Sequence, residues 1–228
     1  MGLFNSTNSD SKNKLTGWIC LNLALWAFAG LGLELVLVKF IEEPIYGNSI
    51  DNYTLFQTIA HWVATCVIWL LIGAFILNFA KKKYGFDIWE IKSTLNKWQY
   101  IGAAVCLIVS FVVSYLDWGG FKPFLEFQRL GIIKFVFQYI YYLFESFLFS
   151  LIIIFGQTAC EKWFHNKSVP YGGIVLALTW GLAHIFTKGS VEVGLLTALG
   201  AFLFGSVYLL VGKDYRKALP IMYLMFII

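Results

Sequence analysis

Four ionisable side chains, Glu34, His61, Glu145 and His184, lie within stretches that are otherwise apolar. At membrane depth each is expensive unless paired or wet, so each is a candidate for chemistry. Glu145 stands in FESFLFS (144–150), next to the hydroxyl of Ser146 and far along the chain from any basic residue. A Glu and a His that face each other from neighbouring helices can hold a water molecule. The carboxylate then serves as general base, and the imidazole orients the water or stabilises charge; this is the minimal hardware for hydrolysis. The same two side chains can instead form a buried Glu–His hydrogen bond that ties two helices together. As metal ligands they would be two where a catalytic zinc takes three. Glu34 and His61 fall within about two turns of a span end, where side chains reach interfacial water, so they read as structural.

The elements that must position these groups follow from hydropathy. Of the 228 residues 59% are hydrophobic and 13% charged, with a mean hydropathy of +0.73, outside the range of water-soluble domains. Apolar runs long enough to cross a hydrocarbon core of about 30 Å as helices are expected near 16–38, 57–80, 99–116, 135–159, 171–187 and 194–212, with a shorter apolar piece over 218–228. Runs such as LIIIF (151–155) and VYLLV (207–211) do not alternate, which strongly favours helices over a β-barrel. The expected architecture is all-α: a polytopic transmembrane helical bundle of six full spans plus a short C-terminal apolar helix. A polar tail, 1–15, precedes a single helical domain, 16–228. The first apolar run is too long for a signal-peptide core and reads as a retained span.

Charge sets the expected orientation. With the N-terminus cytoplasmic, twelve Lys and Arg residues fall on inner segments and five on outer ones, which favours that topology. A membrane flank accounts for KKK (81–83), so nucleic acid is not an expected partner. Cys20, Cys66, Cys106 and Cys160 fall in separate apolar spans without a CxxC pair, which argues against a disulfide framework or a zinc knuckle. MGLFNS matches the myristoylation pattern, but one acyl group adds little to a chain that already spans the bilayer, and the match is read as chance. DWGGFKPFLEFQRLGIIK (117–134) mixes apolar and charged residues as a short interfacial helix would.

Around the two central candidates the chain resembles a family. Glu145-Ser146-Phe147-Leu148-Phe149-Ser150 is similar to the E-E-x-x-x-R motif of the CAAX-processing and bacteriocin-processing (CPBP) intramembrane proteases. Trp180-Gly-Leu-Ala-His184 resembles that family's F-x-x-x-H motif, 35 residues further on. GAFLFGSVYLLVG (200–212) and LPI (219–221) are similar to the elements that lead to its third motif, H-x-x-x-N. The resemblance covers about 135–228, and the earlier spans match only in being hydrophobic.

The resemblance implies that Glu145 and His184 activate the attacking water. It also marks departures. Ser146 replaces the second Glu and Ser150 the Arg; Tyr223 or Leu224 stands at the third-motif His, and Ile227 or Ile228 at the Asn. The family's third motif looks like an oxyanion stabiliser, so Tyr223, or His61 from the second span, would have to supply the missing donor. Trp180 lies one turn from His184, as Tyr141 and Phe149 do from Glu145; the aromatics read as packing.

Three functions are consistent with these residues. The first is an intramembrane endopeptidase acting on a membrane-associated peptide or protein. The second is a catalytically impaired relative that binds a peptide or protein, as in bacteriocin immunity or a scaffold. The third is a small transporter, which the lack of inverted repeats and broken helices disfavours. The sequence requires no cofactor, though a divalent metal is compatible with it. The family's spread implies a bacterial cytoplasmic membrane, and the lipid bilayer is a partner in every case.

Overall fold

A computed structural model describes residues 14–228; the MGLFNS stretch and most of the polar tail lie outside the described residues. The described residues are helical, with no strand among them. Thr16 caps α1 (Gly17–Leu37) by accepting from the Ile19 N–H. The helix continues through a widened turn, Val38–Glu42, into α2 (Glu43–Tyr46). α3 (Leu55–Tyr84) and α4 (Lys97–Trp118) each begin with a reciprocal capping box, Thr54 with Gln57 and Asn96 with Gln99. Such boxes satisfy N–H groups that a helix start leaves unpaired.

α5 (Lys122–Phe164) is helical on both sides of Gly131, whose φ of 69° and ψ of 168° are not helical. That backbone region is essentially closed to side-chain-bearing residues, so glycine permits a sharp elbow here. The elbow folds Lys122–Leu130 back against the body of α5, where Glu126 reaches Gln138 and Tyr142. The expected interfacial helix within 117–134 is this folded-back piece.

α6 (Tyr171–Leu176) passes through a second widened turn, Ala177–Gly181, into α7 (Leu182–Lys188). α8 (Val191–Leu210) is capped by Ser190, and α9 (Tyr215–Ile227) by Asp214. Among the described residues five helices are long and apolar enough to cross a membrane: Gly17–Tyr46, Leu55–Tyr84, Lys97–Trp118, Lys122–Phe164 and Val191–Leu210. The expected fifth span, 171–187, is therefore not among them; it is broken into α6, the widened turn and α7. The apolar tail piece is α9, which begins three residues before Ala218.

α5 is the centre of the bundle. From Leu148 to Gln157 every residue is buried, because α1, α3, α6 and α9 surround it. A helix buried on all sides needs no polar face, and LIIIF has none. α6 and α8 cross in backbone contact: a Cβ on Gly205 would collide with the backbone of Gly173. Gly205, in the small-residue stripe Thr197, Ala201 and Gly205 of α8, thus supplies the close approach.

The end of the bundle near Gly17 is closed by polar locks. The loop 85–96 buries Ile88, sets Trp89 edge-on to Tyr215 at 4.9 Å, and ties Ser93 to the Val211 carbonyl (2.6 Å) and to Asp214 (3.2 Å). Lys213 pairs with Glu161 at 2.6 Å, and Gln157 bridges Glu161 and the Gly172 N–H. The opposite, far end gathers the ionisable groups singled out in the sequence.

Candidate functional site

Glu145 projects from α5 toward the widened turn of α6–α7. Turns of this kind re-aim a side chain that a regular helix would place elsewhere. Here the turn presents Trp180, whose indole N–H donates to Glu145 Oε1 at 3.0 Å. The Trp180 ring is 6% exposed and packs on Phe149, Phe226 and Phe204 at centroid distances of 5.4, 5.7 and 6.5 Å. His184, one turn on, stands edge-on to the same ring at 4.7 Å, with Nδ1 2.8 Å from the Trp180 carbonyl oxygen. A carbonyl only accepts, so Nδ1 carries the proton, and the neutral ring keeps its lone pair on Nε2.

Trp180 is thus the common partner of the two central candidates. Glu145 and His184 do not pair with each other among the described residues. Glu145 Oε2 and His184 Nε2 have no hydrogen-bond partner among the described residues. The charged groups whose fields reach the Glu145 carboxylate are Glu34, Lys122 and Lys188.

The supporting candidates divide. Ser146 Oγ is buried without a hydrogen-bond partner among the described residues. Ser150 Oγ bonds the Phe147 carbonyl (2.6 Å) and the Tyr215 hydroxyl (3.2 Å), which ties α5 to α9. Tyr223 donates to the Tyr139 carbonyl at 3.0 Å, another tie between the same two helices. Neither of these hydroxyls is bonded to Glu145 or His184.

His61 is 2% exposed and lies between two carboxylates. Its Nε2 is 3.2 Å from Glu34 Oε1. Its Nδ1 faces Glu42 Oε2 at 2.8 Å, too oblique for a hydrogen bond. Glu34 also receives Tyr141, whose hydroxyl lies 2.8 and 2.9 Å from its two oxygens. Lys39 pairs not with Glu34 but with Glu43, at 2.7 Å. Glu42, although it belongs to the charged pair Glu42-Glu43 just before Pro44, is only 5% exposed.

A third cluster had no counterpart in the sequence reading. Glu126 is fully buried and accepts from Gln138 (2.9 Å), Tyr139 (3.0 Å) and Tyr142 (2.7 Å). Lys122, 7% exposed, donates to the Phe226 carbonyl at 2.6 Å. The signal available was the run Gln138-Tyr139-x-Tyr141-Tyr142, dense in hydrogen-bonding side chains for a helix of this apolarity. Among the described residues no group of three His, Cys, Asp or Glu side chains is disposed to hold a metal ion. The two nitrogens of His61 face different carboxylates, so this triad does not converge on one point.

Comparison with family models, with curated proteins and with solved structures finds no match to the chain. The resemblance to the CPBP proteases therefore rests on the motif residues themselves. Two of those stretches, 145–150 and 180–184, meet at the Trp180–Glu145 hydrogen bond.

Proposed function

We propose that this chain is an integral membrane hydrolase of the CAAX- and bacteriocin-processing type, cleaving a peptide bond of a membrane-associated substrate. The observation that carries the reading is the double hold of Trp180. It fixes Glu145 through one carboxylate oxygen and His184 through one ring nitrogen, and leaves the other oxygen and the other nitrogen unbonded. Glu145 Oε2 takes a proton from water as the oxygen attacks the peptide carbonyl carbon. The proton then passes to the leaving amine nitrogen as the C–N bond breaks. His184 Nε2 accepts the water's second hydrogen and so orients the attack.

The topology that accompanies this reading has six crossings, with α6–α7 as the fifth, and a cytoplasmic N-terminus in a bacterial inner membrane. The Lys and Arg asymmetry supports it. Glu145 then lies in the outer half, so the substrate is met from the outer side.

The test compares newly formed peptide termini in membranes of cells that make the native chain or Glu145→Gln. Termini that depend on Glu145 are the expected result; identical sets would reject the hydrolytic mechanism.

One observation favours a second reading, a catalytically impaired relative that binds a peptide or partner protein. Ser150 and Tyr223, at positions where the family carries polar site residues, spend their hydroxyls tying α5 to α9. Under this reading Glu145→Leu is tolerated or stabilising, because it removes a costly polar group. A large loss of folded protein would count against it.

A further inference from the structure

The widened turn at the end of α1 changes which face its last residues present. Eight residues of regular α-helix would set Glu34 and Glu42 about 80° apart around the axis. The widened turn Val38–Glu42 takes up one extra residue and cuts that offset to about 20°, so the two carboxylates stand on one face, about two turns apart. His61 of α3 fits between them, with Nε2 3.2 Å from Glu34 Oε1 and Nδ1 2.8 Å from Glu42 Oε2.

That placement depends on a proton. A neutral imidazole has one N–H and one lone pair, and a lone pair set against a carboxylate oxygen is repelled by it. The ring that suits two flanking carboxylates is the imidazolium, with an N–H on each side. His61 is buried, and among the described residues no Lys or Arg pairs with Glu34 or Glu42. The other titratable groups around the cluster supply no cation to replace the ring. From the loop before α3, Tyr53 places its hydroxyl 3.5 Å from Glu42 Oε2, and Tyr46 of α2 stands edge-on to Tyr53. Tyr141 of α5 holds Glu34, and Cys66 of α3 lies within reach of the Glu34 charge. Lys39 is taken by Glu43.

What the proton holds is the end of α1. The widened turn and α2 pack mainly on their own helix, with Phe40, Ile41 and Ile45 exposed. Among the described residues, the polar tie from this segment to another long helix is Glu42 on His61.

We propose that Glu34, His61 and Glu42 form a proton-binding site that latches the end of α1, with α2, to α3. The latch is closed while His61 carries two N–H groups. On release the Nε2–H bond breaks, the proton passes to Glu34 and from there to water, and the electron pair stays on the ring. Glu34, with 25% of its side chain exposed, is the way out. The neutral ring then has one N–H for two carboxylates, its contact with the other turns repulsive, and the segment is freed. The site rests on no reading of Glu145.

The test follows the native chain in nanodiscs from about pH 5 to about pH 10, a range wide of the ordinary imidazole value on both sides. Hydrogen–deuterium exchange of residues 40–53, corrected for the chemical exchange rate, reads the latch. Nitrogen resonances of protein labelled at histidine, assigned with His61→Gln, read the ring. Both ring nitrogens of His61 are expected to carry hydrogen at about pH 6. Loss of one should coincide with a roughly tenfold or greater loss of protection over 40–53, the effect of one pK unit of linkage, while α8 keeps its protection. His61→Gln, which cannot take the charge, should exchange fast over 40–53 at every pH. Where that variant is not monodisperse, Glu42→Gln, which keeps the shape and removes one negative charge, should flatten the step. A single N–H on His61 at about pH 6, protection over 40–53 that does not follow the ring's titration, or a step of native size in either variant overturns the proposal.

Discussion

Trp180 gives its indole N–H to Glu145 and its backbone carbonyl to His184, so a single residue orients both central ionisable groups. Trp180→Phe keeps the ring in its aromatic cluster and deletes only the donor. A hydrogen bond to a charged group is worth about 1.5–3 kcal/mol, so hydrolysis should fall about ten- to hundredfold. Cleavage rate checks this. Combined with Glu145→Gln, the change should add almost nothing, because both act through one carboxylate.

The elbow of α5 depends on a residue without a Cβ. Gly131→Ala forces a side chain into φ near 69°, at a cost of about 1–3 kcal/mol. Thermal unfolding in detergent should shift down, and the tie between Glu126 and Tyr142 should loosen.

His61 separates two carboxylates. Its replacement by Leu leaves Glu42, 5% exposed, without its counter-group, a loss of about 3 kcal/mol or more. His61→Leu combined with Glu42→Gln should be milder than His61→Leu alone. Unfolding midpoints of the two variants decide it.

Acid should weaken the turn before α9. Burial pushes the Asp214 carboxyl up. Hydrogen bonds from Arg216 and the Ser93 N–H, with the charges of Arg216 and Lys217, outweigh that and hold it below the usual carboxylate range. Because the folded value lies below the unfolded one, near 3.9, the contribution is complete above about pH 4. It is lost as pH falls through the folded value. Asp214→Asn should be less stable than the native protein at pH 6, and the gap should close as pH falls through the folded value. Unfolding midpoints across that range are the measurement.

α6 and α8 touch at two glycines. Gly205→Ala places a methyl group against the Gly173 backbone and should cost about 1–3 kcal/mol by overpacking. Lower yield of monodisperse protein and a lower midpoint are expected.

Long apolar runs were legible because hydropathy over about 20 residues is a strong signal; α1, α3, α4, α5 and α8 all fall where it pointed. The broken segment 171–188 was read as one span because a widened turn leaves no mark in composition. Glu145 and His184 stood out as charges in hydrocarbon, yet their shared partner did not. Trp180 read as packing, since nothing in a sequence says which way an indole N–H points. Glu126 was hidden for a different reason. It stood in what read as a short interfacial helix until the elbow at Gly131 brought it against Tyr142, 16 residues further along the chain. Contacts made by a reversal of direction are non-local, and periodicity along the chain cannot report them.

Tyr141 and Tyr142 are consecutive on α5, so they leave the helix about 100° apart, and each grips a carboxylate on a different element, Glu34 on α1 and Glu126 beyond the elbow. Together they act as two spokes that stop the central mast from turning. Any twist of α5 that eased one grip would strain the other. Motion that admits a ligand must then come from the pieces around it, α9 with its proline and α6–α7 with its slack turn, while the carboxylate at 145 keeps its bearing.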